Sequence, residues 1–211
     1  KGEYTFVQEG KPVWPEYDDG MMSADLEPEP GVMLHIGLDF GLTPAAVFAQ
    51  KMPSGAWHVL HEIVTFDMGL ERFATILKSE IQSRFPKYDI SIWGDPAGAQ
   101  RDAIYETTAF DHLKTHGLLS RPTASNDFKV RREALAAPMG RLIAGKPGFL
   151  VSRKCVRVRK SLGGGYHFKR VAVGAGHERF KDQPNKNEHS HIGDAAGYCL
   201  LGGGEHRRMT R

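Results

Sequence analysis

Apolar residues fall in three short runs close together, at 33–40, 45–52 and 57–65, each rich in the residue types that favour extended chain. Pro53-Ser54-Gly55 is a tight-turn sequence, so the second and third runs are expected to form a hairpin. The period then changes. Leu70, Phe73, Ala74, Leu77, Ile81 and Phe85 recur at three- and four-residue intervals and predict a helix. A short buried strand at 88–93 follows and stops at Gly94-Asp95-Pro96. Beyond it the pattern predicts a helix from about Gln100, a turn at Gly117 and a strand at 118–121.

The second half is less regular. Residues 128–144 have helical spacing, which Pro138 must kink or break. A short strand at 149–151, a break at Gly163-Gly164-Gly165 and an alternating strand at 166–173 come next. Residues 174–187 read as a mobile loop, and a helix over 188–201 closes the pattern. Three antiparallel strands, then helix–strand units giving parallel strands, then a last helix describe an α/β fold of the ribonuclease H-like type: one mixed sheet with helices on both faces. Residues 1–31 carry prolines and acids without periodicity, ending in Glu27-Pro28-Glu29-Pro30-Gly31. They predict an extended, solvated linker, with the folded domain spanning 32–211.

Composition narrows the class. At 211 residues and 40% hydrophobic, the chain can bury one core of ordinary size. No apolar run reaches the roughly 18 residues of a membrane helix. Two distant cysteines, Cys155 and Cys199, make neither a disulfide framework nor a zinc set, which points to a reducing compartment. The opening Lys-Gly-Glu-Tyr has neither an initiator Met nor a signal peptide and suggests a fragment of a longer protein. Net charge is only +3, but residues 1–120 hold 9 Lys and Arg against 18 Asp and Glu, while 121–186 hold 16 against 4. A segment so basic attracts polyanions by neutralising phosphates and releasing counterions. Candidate phosphate contacts are Lys129, Arg131, Arg132, Arg153, Lys154, Arg157, Arg159, Lys160, Lys169 and Arg170.

Three aspartates supply the chemistry. Asp39 ends an apolar strand in Ile36-Gly37-Leu38-Asp39-Phe40-Gly41, and Asp95 ends another in Ile90-Ser91-Ile92-Trp93-Gly94-Asp95. A carboxylate flanked by large apolar side chains is costly to bury without a partner. In open α/β sheets, ligands gather beyond the carboxyl ends of strands. Asp194 lies near the start of the last helix, between the small residues Gly193 and Ala195, which let a helix approach a sheet closely. An all-oxygen set of this kind suits Mg²⁺ or Mn²⁺. Two such ions suit phosphodiester hydrolysis by in-line displacement. His191, three residues before Asp194, can share its helix face and orient a ligand, or cap the helix. Lys186 is a candidate for neutralising charge at the scissile phosphate. His189 reads as solvent-facing, and Asp102 and Asp111 as surface helix residues. Removing any of the three aspartates relieves crowded negative charge, so folding is expected to survive it.

Gly140-Arg141-Leu142-Ile143-Ala144-Gly145-Lys146 matches the first seven positions of a nucleotide phosphate loop. Pro147 stands where a Ser or Thr must reach Mg²⁺, so no nucleotide is expected; Lys146 reads as a DNA-backbone contact or a helix-end charge.

These motifs together resemble the nuclease domain of the large terminase subunit of tailed bacteriophages, over almost the whole chain. Pro12-Val13-Trp14-Pro15-Glu16-Tyr17 is similar to the segment leaving that family's packaging ATPase. Gly37-Leu38-Asp39-Phe40-Gly41-Leu42-Thr43-Pro44-Ala45 and Gly94-Asp95-Pro96-Ala97-Gly98 resemble its first two acidic motifs. Lys186-Asn187-Glu188-His189-Ser190-His191 through Asp194-Ala195 resembles the third, and Gly164-Gly165-Tyr166-His167-Phe168 also fits. The resemblance implies a viral endonuclease that cuts double-stranded concatemeric DNA during genome packaging in the host cytoplasm and is not part of the mature virion. It also implies an ATPase domain ahead of residues 1–31, with the portal and the small terminase subunit as partners. Other readings are a resolvase- or transposase-type nuclease core, a DNA-binding module without catalysis, and an actin- or sugar-kinase-like ATPase. The last needs two lobes and a second phosphate loop that this chain lacks.

Overall fold

The computed structural model describes residues 10–41, 43–101, 107–171 and 179–205. The described residues begin with β1 (Gly10–Pro12), α1 (Asp19–Met22) and β2 (Ser23–Ala24), then the run β3 (Leu34–Asp39), β4 (Ala45–Lys51), β5 (Trp57–Val64). Next come α2 (Leu70–Arg84), β6 (Ile90–Gly94), a 3-10 turn (Pro96–Ala99), α3 (Ala109–Thr115), β7 (Ser120–Pro122) and α4 (Phe128–Met139). The rest is β8 (Leu142–Ile143), β9 (Lys146–Pro147), β10 (Phe149–Ser152), α5 (Val156–Lys160), β11 (His167–Val171), β12 (Arg179–Phe180) and α6 (Ser190–Gly202).

Seven strands make the main sheet in the order β2-β10-β5-β4-β3-β6-β7. Strands β3, β4 and β5 are antiparallel neighbours, whereas β6 runs parallel to β3, β7 to β6 and β10 to β5. This is the mixed sheet expected from the sequence. Period-2 alternation divides its side chains between two cores. Leu34, Ile36 and Leu38 face α2 and α3, packing with Phe73, Leu77 and Leu113. Ala45, Val47 and Ala49 of β4 pack on the other face against α4 and α6, with Leu135, Ala195 and Cys199. His35, Gly37 and Asp39 alternate onto that second face. Gly37 is required there, because a Cβ would lie 2.1 Å from the Ala195 carbonyl oxygen and 2.3 Å from the Cys199 nitrogen.

Four local readings need correction. Residues 10–24 are not a solvated linker: β1 pairs with β11, β2 with β10, and Val13, Trp14, Tyr17 and Met22 are buried in the core. Four apolar residues scattered among prolines show no period, yet all four join the core that holds Leu135 and Met139 of α4 and Phe149 and Val151 of β10. The expected helix does not begin at Gln100, which ends the 3-10 turn Pro96–Ala99 capped by Asp95, and α3 begins at Ala109 behind a Thr108–Asp111 capping box. Part of that expectation, with Asp102, lies outside the described residues, while Asp111 is the exposed helix residue expected. Helix α4 ends one residue after Pro138, and 142–147 form the β8–β9 hairpin around Ala144 and Gly145 at positive φ. Lys146 therefore sits on an exposed hairpin strand, neither in a phosphate loop nor at a helix end. The loop expected at 174–187 contains β12, which pairs with β11; residues 172–178 lie outside the described residues.

Two outcomes test this packing. Gly37→Ala should destabilise the chain by about 3 kcal/mol, since backbone rather than a flexible side chain stands in the way. A chemical-denaturation midpoint close to wild type would contradict the backbone contact. His35 packs 5.4 Å from the Trp57 ring with a buried Nδ1 that has no partner, and burial, aided by Lys51, pushes its pKa from 6.5 down to about 4. Between these values the unfolded chain takes up a proton that the folded chain refuses, so stability falls as pH drops from 6.5 to 4. His35→Gln should shrink that loss, read as the difference between urea midpoints at about pH 7 and about pH 4.5.

Candidate metal centre

Asp39 is the last residue of β3, and the backbone N–H of Asp95 donates to the Leu38 carbonyl at 3.3 Å. The parallel pairing of β3 with β6 thus sets the two aspartates side by side at the carboxyl edge of the central strands. Helix α6, seated on β3 through Gly37, carries Asp194 and His191 to the same edge. Asp39 is 7% and Asp194 3% exposed. The Nδ1–H of His191 donates to Asp39 Oδ2 at 2.8 Å, so His191 orients a carboxylate; a helix-capping role is not what the geometry gives it.

The electrostatics follow from burial. Loss of solvent pushes the Asp39 carboxyl up, the His191 hydrogen bond acts against this, and the nearby Asp194 charge adds to the rise. His191 is also pushed up, chiefly by its hydrogen bond to Asp39. The shared hydrogen bond thus works in opposite directions on the two groups, raising His191 and opposing the larger effect of burial on Asp39.

Asp194 is held by two cations. Arg131 Nη2 donates to Oδ1 at 3.3 Å, and Lys186 Nζ donates to Oδ2. Arg131 also donates to the Asn126 carbonyl and stacks 4.7 Å from the Tyr198 ring centre. Burial works against its charge, and Asp194, Tyr198 and Asp95 more than offset this. Asp95 caps the 3-10 turn, its Oδ1 accepting from the Ala97 N–H at 2.9 Å, and its charge adds to the rise that burial imposes on the Tyr198 hydroxyl. Tyr166 completes the floor. It is fully buried, its hydroxyl has no hydrogen-bond partner, and its acidity is suppressed first by burial and then by Asp194, with Asp39 adding less.

With these arrangements, no three His, Cys, Asp or Glu side chains among the described residues are drawn together closely enough to hold a metal ion as they stand. The reason is visible: both Asp194 oxygens are turned to protein cations, and Asp95 is turned to a backbone amide. The donor chemistry nevertheless fits a hard cation. Three carboxylates share one edge, two of them buried, and the unpartnered buried Tyr166 hydroxyl lies within electrostatic reach of Asp194 and Asp39.

The basic residues divide into two groups. Arg131 points inward. Arg132 pairs with Glu16, Arg153 with Asp25 at 2.7 Å, Lys154 with Glu27 at 3.4 Å, and Arg159 with both oxygens of Asp19 at 2.6 and 2.8 Å. Lys129, Lys160, Lys169 and Arg170 are exposed; Arg157 lies 5.4 Å from the Phe66 ring centre and 3.6 Å from Glu188. His189, expected in solvent, is 8% exposed; burial depresses its basicity, with smaller contributions from Lys160 and Arg157. Those two cations therefore lie next to the segment that carries His191. The sequence reading missed Tyr166 and Tyr198 as site residues, and Arg131 as an inward one. Arg131 carried a signal, since it falls on the same helical stripe as Ala134, Leu135 and Pro138.

No protein-family model and no curated protein sequence matches the chain. Solved structures do. The P22 large terminase nuclease domain superposes with a TM-score of 0.67 at 12% identity, over 95% of each chain. The nuclease domain of the large terminase (g2p) from bacteriophage SPP1, solved with bound Mn, gives 0.54 at 14% identity over 85% of this chain and 94% of its own. The large terminase of a thermophilic bacteriophage gives 0.66 at 15% identity over 92% of this chain, which spans only 45% of that longer protein. At these identities the likeness speaks for architecture, and the architecture of this chain is that of the large-terminase nuclease domains.

Proposed function

We propose that this chain is a divalent-metal-dependent endonuclease acting on double-stranded viral concatemeric DNA during genome packaging, and part of a longer terminase with an ATPase domain. What supports the reading is that paired strands end at Asp39 and Asp95 while α6 carries Asp194 toward the same edge, in a fold shared with terminase nuclease domains. Asp39, Asp95 and Asp194 would hold Mg²⁺ or Mn²⁺, two ions in the fullest form of the reading. Such ions, when bound, activate water and stabilise the leaving 3′-oxygen.

The chain's own residues do the rest. His191 fixes the rotamer of Asp39. Arg131 fixes Asp194 from the protein side. Lys186 stands at the solvent side of the centre, its side chain 64% exposed, where it can meet a phosphate. The exposed Lys129, Lys160, Lys169 and Arg170 are the proposed DNA track, with Arg157 beside Phe66. Portal and small-subunit partners, and action in the host cytoplasm, belong to the same proposal; no helix among the described residues is long and apolar enough to cross a membrane. One observation favours a binding module instead: Asp194 already has two protein cations. Plasmid cleavage with Mg²⁺, Mn²⁺, Ca²⁺ or EDTA separates the two readings.

Asp39→Asn, Asp95→Asn and Asp194→Asn should each reduce Mn²⁺-supported cleavage at least about a hundredfold while DNA binding persists. Cutting that survives EDTA rules out the metal mechanism. Stability should divide the three, against the expectation that relieving crowded negative charge leaves folding intact in each case. Asp39→Asn relieves a buried charge, whereas Asp194→Asn strips buried Arg131 of its counter-charge and should cost about 3 kcal/mol.

DNA affinity should fall steeply with salt. Replacing Lys129, Lys160 and Lys169 together by Ala should flatten the log–log slope by up to roughly 0.9 per residue, equally on unrelated duplexes. Arg159→Ala should lower the melting temperature and leave the slope nearly unchanged, because its partner is Asp19. A slope moved by Arg159→Ala and not by the triple variant would place the DNA on a different face.

A further inference from the structure

The two cations on Asp194 are built differently. Arg131 is 7% exposed, stacked on Tyr198 and tied to the Asn126 carbonyl, so its guanidinium has nowhere else to go. Lys186 reaches Oδ2 from outside, with its side chain 64% exposed and its ammonium 5.8 Å from the centre of the Tyr166 ring. The backbone on either side of Lys186 is tied down: the Asn185 N–H donates to the His167 carbonyl at 2.8 Å, and the Asn187 side-chain amide donates to the Gly165 carbonyl at 2.9 Å. The ammonium can therefore leave by rotating its own four-carbon stem, with no backbone rearrangement.

We propose that Lys186 is an exchangeable counter-ion, holding Oδ2 of Asp194 in the metal-free protein until a divalent cation displaces it. This rests on the metal-dependent reading above and adds a competition to it. Without Lys186, the Asp39–Asp194 pair faces solvent with one oxygen unsatisfied beside the partnerless Tyr166 hydroxyl. A doubly charged ion neutralises that pair better than one ammonium can. Arg131 keeps Oδ1 throughout, so Asp194 offers the incoming cation one oxygen rather than two. Displacement turns Lys186 outward, and cation loading thereby supplies the positive charge that a DNA phosphate would meet.

The test is Mn²⁺ binding, followed calorimetrically on the 211-residue chain without DNA, for wild type, Lys186→Ala, Lys181→Ala and Asp194→Asn. Lys181 is exposed on the same segment, its backbone tied to Lys169, and its loss removes an equal charge away from the Asp194 seat. Lys186→Ala should lower the Mn²⁺ Kd about tenfold, and Lys181→Ala by less than about twofold. In the wild-type chain, saturating Mn²⁺ should also increase acetylation of Lys186 by a soluble anhydride, read by mass spectrometry. Equal shifts in the two lysine variants, or weaker binding by Lys186→Ala, overturn the counter-ion role and leave the metal reading standing. A wild-type chain that binds no Mn²⁺, or an Asp194→Asn variant that binds it as well as wild type, removes both.

Discussion

Helix α6 lies against β3 with backbone touching backbone, and the candidate centre depends on that approach. Gly37 leaves the gap, and the Ala195 carbonyl and Cys199 nitrogen fill it. Because β3 alternates, the face that receives α6 also carries Asp39, two residues beyond Gly37. Because α6 runs on from His191 through Asp194 to Cys199, the contact that seats the helix also sets its acidic turn at the strand's end. A side chain at 37 would lift the helix and move Asp194 and His191 away from Asp39 together.

Burying carboxylates at that edge creates a charge problem, which the protein resolves with its own cations. His191 serves Asp39, while Arg131 and Lys186 serve Asp194. The rest of the surface repeats the device at lower stakes. Glu16, Asp19, Asp25 and Glu27, from a segment that looks like a tether, lie along Arg132, Arg159, Arg153 and Lys154. The charge asymmetry between the two halves of the chain is thus partly consumed internally. A carboxylate of β5 does similar work: Glu62 accepts the N–H groups of Arg157 and Val158 at 2.8 and 2.7 Å, fixing the start of α5.

Much of this was legible beforehand, and for identifiable reasons. The central strands and α2 have strong period-2 or period-3.6 patterns, and their bounds in the structure fall within two residues of the expected ones. Asp39, Asp95 and Asp194 each stood out as acids in apolar or small-residue surroundings, where a carboxylate calls for a partner. The misreadings fall where no period exists: in the proline-rich segment before residue 32, around the 3-10 turn, and at the β8–β9 hairpin.

By itself the sequence determined which residues alternate, which helices are two-faced, and which acids sit at element ends, because these are properties of local spacing. It did not determine which charges meet. Arg131, Arg132 and Arg159 carry the same charge as Lys129, Lys160 and Lys169 and stand within the same basic stretch, and only the packing of α4, α5 and the N-terminal segment separates inward-facing counter-ions from exposed cations. Tyr166 and Tyr198 joined the site in the same way, each fully or almost fully buried, Tyr166 in the core that α6 and α4 share and Tyr198 under Arg131. Ion pairing depends on distances between residues far apart in the chain, and those distances exist only once α6 has settled on β3.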